Sequence, residues 1–176
     1  KAITQALQES YGQDCQVDIV NPMDNPRAPA VLRDGANNYD RMVREAPDLY
    51  KITFEVGDTP VVSGIVKNSL TLMLVNAIRE IIHEKQPDVI VCTYSSYQNS
   101  LSAIFDLEKI HIPVLTVVTD LATVNRLWFH PVADVCVVPT QAVHDLAIKA
   151  GLPAEKVKII GIPVRPELMK GNQDRA

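Results

Sequence analysis

Thr119, Asp120, Asn125, Trp128 and His130 fall in one short stretch, T-V-V-T-D-L-A-T-V-N-R-L-W-F-H, and bring together a hydroxyl, a carboxylate, a carboxamide, an imidazole and the only tryptophan of the chain. A carboxylate orients a substrate hydroxyl or helps to deprotonate it. An indole joins a large apolar area to an N–H that can stay wet, which suits a membrane headgroup boundary. His130, with Arg126 nearby, offers a contact for a phosphate. Each residue also has a plain structural use: Asp120 as the cap of a turn, Trp128 as a loop anchor in the core, and His130, before Pro131, as a solvated side chain. A second group, Gly161 and Pro163 of G-I-P-V-R-P, stands where the last strand of the pattern leaves the domain.

The elements around these residues decide whether the chemistry is available. Val114–Val118 reads as a buried apolar strand that ends at Thr119-Asp120. In an open parallel sheet, ligands sit outside the carboxyl ends of the strands, so Thr119, Asp120 and the loop to Trp128 lie where recognition is expected. Four other segments read as strands: Cys15–Val20, Val89–Cys92, Val135–Val138 and Lys158–Ile160. Between them run helical patterns. Ala2, Ile3, Ala6 and Leu7 recur at helical spacing before Gly12; a long helix follows Thr59-Pro60 from Val61 to Glu84; Ser100–Lys109 is a third. Thr140 caps Gln141–Ala150, and Gly151 stops it. Asn37–Tyr50 also has a helical pattern, after a loop over Asn21–Ala36 that holds Pro22, Pro26, Pro29 and Gly35. Apolar strands alternating with helices predict an α/β fold, a Rossmann-like parallel sheet with helices on both faces.

Composition narrows the functions. The 176 residues suffice for one domain with a core, and a net charge of −4 gives no general basic footprint for nucleic acid or for a strongly electrostatic membrane anchor. Arg27, Arg33 and Arg126 leave room for local contact with anionic lipid. Cys15, Cys92 and Cys136 are odd in number and widely spaced, which reads as reduced, buried thiols in a reducing compartment. No apolar run is long enough for a transmembrane helix, and no His, Cys or carboxylate cluster has metal-ligand spacing. Val61–Ile82 is apolar round most of its circumference, which means either core packing or lipid insertion, most of all at Pro60–Val66. Neither G-x-G-x-x-G nor a P-loop occurs.

Four pieces in this order, P-D-V-I-V at Pro87–Val91, I-P-V-L-T-V-V-T-D-L at Ile112–Leu121, W-F-H at Trp128–His130 and G-I-P-V-R-P at Gly161–Pro166, give a chain that resembles the N-terminal domain of the monogalactosyldiacylglycerol synthases and processive diacylglycerol glucosyltransferases of glycosyltransferase family 28. The family commonly has a histidine at the place of Asn125 and His-Pro where Tyr94-Ser95 stand.

The resemblance implies one half of a GT-B architecture, with residues 1–166 as an acceptor-binding domain and 167–176 as the start of a linker to a donor-binding domain. It implies transfer of a hexose from a UDP-sugar, a substrate rather than a cofactor, to diacylglycerol or a glycosyldiacylglycerol. The place of action would be cytoplasmic and peripheral to a membrane. The base would lie in a glycine-rich loop ahead of Lys1, with Asp120 orienting it or the acceptor. Thr119, Asn125, Trp128 and His130 would contact acceptor or lipid, and Gly161 and Pro163 would line the interdomain cleft. The ends of the chain, K-A-I-T-Q-A-L-Q and K-G-N-Q-D-R-A, read as cuts in a longer protein, so this piece alone is expected to be inactive. The competing expectation is a non-catalytic α/β module that binds a lipid or a protein.

Overall fold

The computed structural model describes residues 1–28, 60–121, 124–165 and 167, and for residues 60–70 the backbone alone. The predicted helix over Asn37–Tyr50, the second half of the proline-rich loop, the Thr59 cap, the side chains of Pro60–Val66 and most of the predicted linker lie outside the described residues. The elements are α1 (Ala2–Tyr11), α2 (Pro60–Lys85), β1 (Ile90–Cys92), α3 (Gln98–Glu108), β2 (Val114–Val117), β3 (Val135–Val138), α4 (Gln141–Lys149) and β4 (Val157–Ile159).

The four strands form one parallel sheet in the order β1-β2-β3-β4. α3 connects β1 to β2 and packs against Cys92 and Val114, and α4 connects β3 to β4 and packs against Cys136, Val138 and Val157. The register sets Cys92, Thr116, Cys136 and Val157 side by side, and all four are buried. Two apolar clusters grow from that row. Leu101, Ile104 and Phe105 of α3 and Leu74, Ala77, Ile78 and Ile82 of α2 pack with Cys92 and Val114. Val143 and Ala147 of α4 pack with Val118, Cys136, Val138, Val157, Trp128 and Phe129.

Local signals set the boundaries. Thr140 Oγ1 accepts the Val143 N–H at 3.3 Å and starts α4. Gly151 follows its end with φ of 105°, a backbone conformation that an L side chain resists. The long helix α2 spends its apolar excess on one stripe: Leu74, Ala77, Ile78 and Ile82 are buried, whereas Leu72 is 75% exposed.

One predicted strand is not a strand. Cys15 is extended, with φ −129° and ψ 104°, but Cys15–Val20 joins no ladder among the described residues, and Ile19 and Val20 are exposed. The alternation is real, because Cys15 and Val17 are more covered than Gln16 and Asp18. Alternation specifies which side chains share a face, but a strand also needs a neighbour for its N–H and C=O groups.

Glu108, at the end of α3, clasps α2. Its carboxylate accepts from Arg79 Nε and lies 2.8 Å from His83 Nε2. The His83 hydrogen bond first, and the Arg79 hydrogen bond second, hold this carboxyl below the ordinary glutamate range. A carboxyl with a depressed folded pKa contributes stability in full above the unfolded value, about 4.3, and that share is lost as pH falls through the folded value. Glu108→Gln should therefore flatten the acid limb of the melting temperature between about pH 5 and pH 3 relative to the unaltered chain. Identical acid limbs in thermal melts at several pH values would show that the clasp carries no linkage. The clasp is partly solvated, so its effect at neutral pH is expected to be small.

Candidate functional site

Beyond β2 the chain passes buried Val118 to exposed Thr119 and half-buried Asp120. Asn125 then opens a short 3-10 turn over Arg126–Trp128, where its Oδ1 accepts the Leu127 N–H at 2.9 Å. The turn carries the Trp128 indole back to the strand end, where Nε1 donates to Asp120 Oδ2 at 2.7 Å. An N–H···O⁻ bond of this length is charge-assisted and among the stronger kinds.

Gln98, the first residue of α3, closes the arrangement from behind. Its side chain is fully buried; Nε2 donates to the carbonyls of Trp128 at 2.9 Å and Leu127 at 3.4 Å, and Oε1 accepts from Thr116 Oγ1 at 3.2 Å. Beside it, the loop after β1 packs Tyr94 against Tyr97, with ring centroids 5.1 Å apart. Tyr97 Oη donates to Asn21 Oδ1 at 2.7 Å, and burial pushes its phenol far above the ordinary tyrosine range, so it stays a neutral donor.

The structure thus brings Thr119, Asp120, Asn125 and Trp128 to one strand end. It corrects the lipid-facing expectation for Trp128: the residue is 4% exposed and belongs to the apolar cluster of α4. The physical reason is Asp120. A partner for the indole N–H removes the cost of burying it, and the rest of the ring is apolar surface best placed in the core. His130 follows the turn, and its Nδ1 accepts the Val132 N–H at 3.1 Å, a bond that needs Nδ1 unprotonated. Gly161 and Pro163 lie past the end of β4, two strands away from β2. Gly161 has φ of 108°, and its N–H reaches back to the Val138 carbonyl at 3.3 Å.

Sequence reasoning missed Gln98. Its one visible signal is position, a carboxamide in the loop-to-helix passage after a predicted strand. A groove of about 490 Å³ lies elsewhere, along α2. It is lined by Arg27, Arg79, Glu80 and His83 among others, but those charges are spent on one another: Arg27 pairs with Glu80 at 2.9 Å, and Arg79 and His83 pair with Glu108. The strand-end loops are the better site because their polar groups gather where a parallel sheet binds ligands. No group of three His, Cys, Asp or Glu side chains suited to a metal occurs among the described residues. No helix among them is long and apolar enough to cross a membrane.

A parallel sheet with helical crossovers and polar side chains gathered at its carboxyl edge defines a Rossmann-like α/β unit, the kind of half from which GT-B glycosyltransferases are built. The family description that matches this chain is monogalactosyldiacylglycerol (MGDG) synthase, over residues 1–164, and the chain belongs to that family. Among its relatives are the monogalactosyldiacylglycerol synthase of Spinacia oleracea, 32% identical over 97% of this chain, and a probable monogalactosyldiacylglycerol synthase of Glycine max, 30% identical over 99%. Monogalactosyldiacylglycerol synthase 1 of Arabidopsis thaliana is 26% identical over 97% of the chain. All three are described as chloroplastic. The chain spans about a third of the length of these relatives, 33%, 33% and 32% respectively.

Proposed function

We propose that this chain is the acceptor-side domain of a UDP-sugar-dependent glycosyltransferase that moves a hexose, galactose by the names of its relatives, to the free hydroxyl of diacylglycerol. The observation that carries this reading is the family match over residues 1–164. The strand-end site supports it: a carboxylate is fixed by a buried indole at the sheet edge where a substrate is expected.

In the transfer, the acceptor oxygen attacks the anomeric carbon, the bond from that carbon to the diphosphate breaks, and UDP leaves with the electron pair. The hydroxyl proton passes to a base that we place ahead of Lys1. Asp120 Oδ2 is committed to Trp128, and we assign Oδ1 to the acceptor hydroxyl, held with its lone pair toward the donor. Thr119 stands beside it as a second polar contact. Asn125 and His130 hold the turns on either side of Trp128, and Trp128 serves the acceptor through Asp120 rather than by touching lipid.

Residues 1–166 form the acceptor domain in this reading, residues 167–176 begin the linker, and Gly161 and Pro163 face the cleft toward the donor domain. The protein works peripherally on the cytoplasmic face of a membrane, with Arg126 as a local contact for anionic lipid.

Sedimentation of the chain with lipid vesicles separates an acceptor domain from a donor domain. Binding should increase when diacylglycerol is added to neutral or mildly anionic vesicles, and calorimetric titration with UDP-galactose should give no binding heat. Nucleotide-sugar binding by the chain, with no response to diacylglycerol, would contradict the assignment.

A further inference from the structure

Gln98 is fully buried and lies on the opposite side of the Arg126–Trp128 turn from Asp120 in the chain of hydrogen bonds. Burying an uncharged carboxamide is costly unless its groups are paired. Here Nε2 spans two consecutive carbonyls of the turn, and Oε1 is fixed to the Thr116 hydroxyl on β2. The strand that delivers Asp120 and the turn that delivers Trp128 are therefore pinned to one side chain. Ser100, equally buried and one half-turn further along α3, has no hydrogen-bond partner for Oγ among the described residues. Burial at this helix start thus does not by itself produce a network.

We propose that Gln98 is a positioning residue that sets the geometry of the Asp120 carboxylate by holding the Trp128 turn against β2. A carboxamide suits the task because one planar group both donates and accepts, so it fixes two elements at a set separation. If the turn loosens, the indole leaves Asp120 Oδ2 and the carboxylate loses its orientation. The kinetic half of this inference rests on the transfer reading above; the spectroscopic half does not.

The test uses Trp128, the only tryptophan of the chain, as its own reporter. Gln98→Leu alone leaves Thr116 Oγ1 without a partner and risks misfolding. The double variant Gln98→Leu/Thr116→Val removes both ends of the Gln98–Thr116 hydrogen bond together, so that only the Trp128 and Leu127 carbonyls lose their donor, which is the loss under test. In the folded double variant, Trp128 emission should move to the red and its quenching by acrylamide should rise, whereas Ser100→Ala should leave both unchanged. In the full-length protein, the double variant should lose about tenfold in kcat with the KM for UDP-galactose unchanged, as expected when a reacting group is misplaced. Unmoved emission and quenching in the double variant would overturn the proposal. A red shift with unaltered kcat would overturn the link to the reaction. If the unaltered full-length protein transfers no sugar, the transfer reading fails, and the fluorescence still decides whether Gln98 holds the turn.

Discussion

Trp128→Ala is expected to destabilise the chain by about 3–5 kcal/mol, the range for truncating a buried aromatic side chain. Three observations set that size. The residue is 4% exposed, it packs in the cluster that joins α4 to β3 and β4, and its N–H satisfies Asp120. Alanine would leave a cavity beside Val143 and Ala147 and strip Asp120 of a donor. Trp128→Phe keeps most of the ring but not the N–H, so it should cost less, about 1–3 kcal/mol, the penalty for an unpaired buried polar group. Urea denaturation followed by far-ultraviolet circular dichroism measures both. A loss below about 1 kcal/mol for the alanine variant, the size usual for a surface substitution, would place the indole outside the core.

Asp120→Asn should lower kcat for sugar transfer by the full-length protein about a hundredfold, at the lower end of what a positioned acid–base group contributes. The amide oxygen still accepts the Trp128 N–H, so the melting temperature should change little. What disappears is the charge that we assign to orienting the acceptor. Asp120→Leu removes the acceptor for the indole as well and should lose both activity and stability. Steady-state kinetics with each variant separates the roles. Full transfer by the asparagine variant, with loss confined to the leucine variant, would make Asp120 a partner for Trp128 and nothing more.

The parts of the fold that were legible in the sequence are those in which one local signal decides the outcome. Val135–Val138 is apolar at every position and Val114–Val117 at all but Thr116, and such short runs suit strands covered on both faces of a parallel sheet. Thr140 and Gly151 bracket α4 because a cap and a positive φ are requirements of a few residues. Cys15–Val20 was misread as a sheet strand because its alternation was genuine but its pairing depends on another segment.

Trp128 was misread for a related reason. The amphipathic indole fits a membrane boundary and a core equally well, and the choice turns on whether the N–H finds a buried partner. That partner, Asp120, is eight residues away across a turn whose closure no periodicity reports. Gln98 is harder still, since its hydrogen bonds run to Thr116, 18 residues on, and to the Trp128 carbonyl, 30 residues on. The strand-end position of Thr119 and Asp120 was legible; the network that fixes them exists only in three dimensions.

The central claim is that this domain presents diacylglycerol to a UDP-sugar. Its most direct test is to incubate labelled UDP-galactose with diacylglycerol vesicles and either the full-length protein or the Lys1–Ala176 chain alone, and to identify the labelled lipid by mass. The full-length protein should yield monogalactosyldiacylglycerol, and the chain alone should yield none. Vesicle binding by the full-length protein with no galactolipid formed from any UDP-hexose would contradict the claim and leave a lipid-binding module in its place.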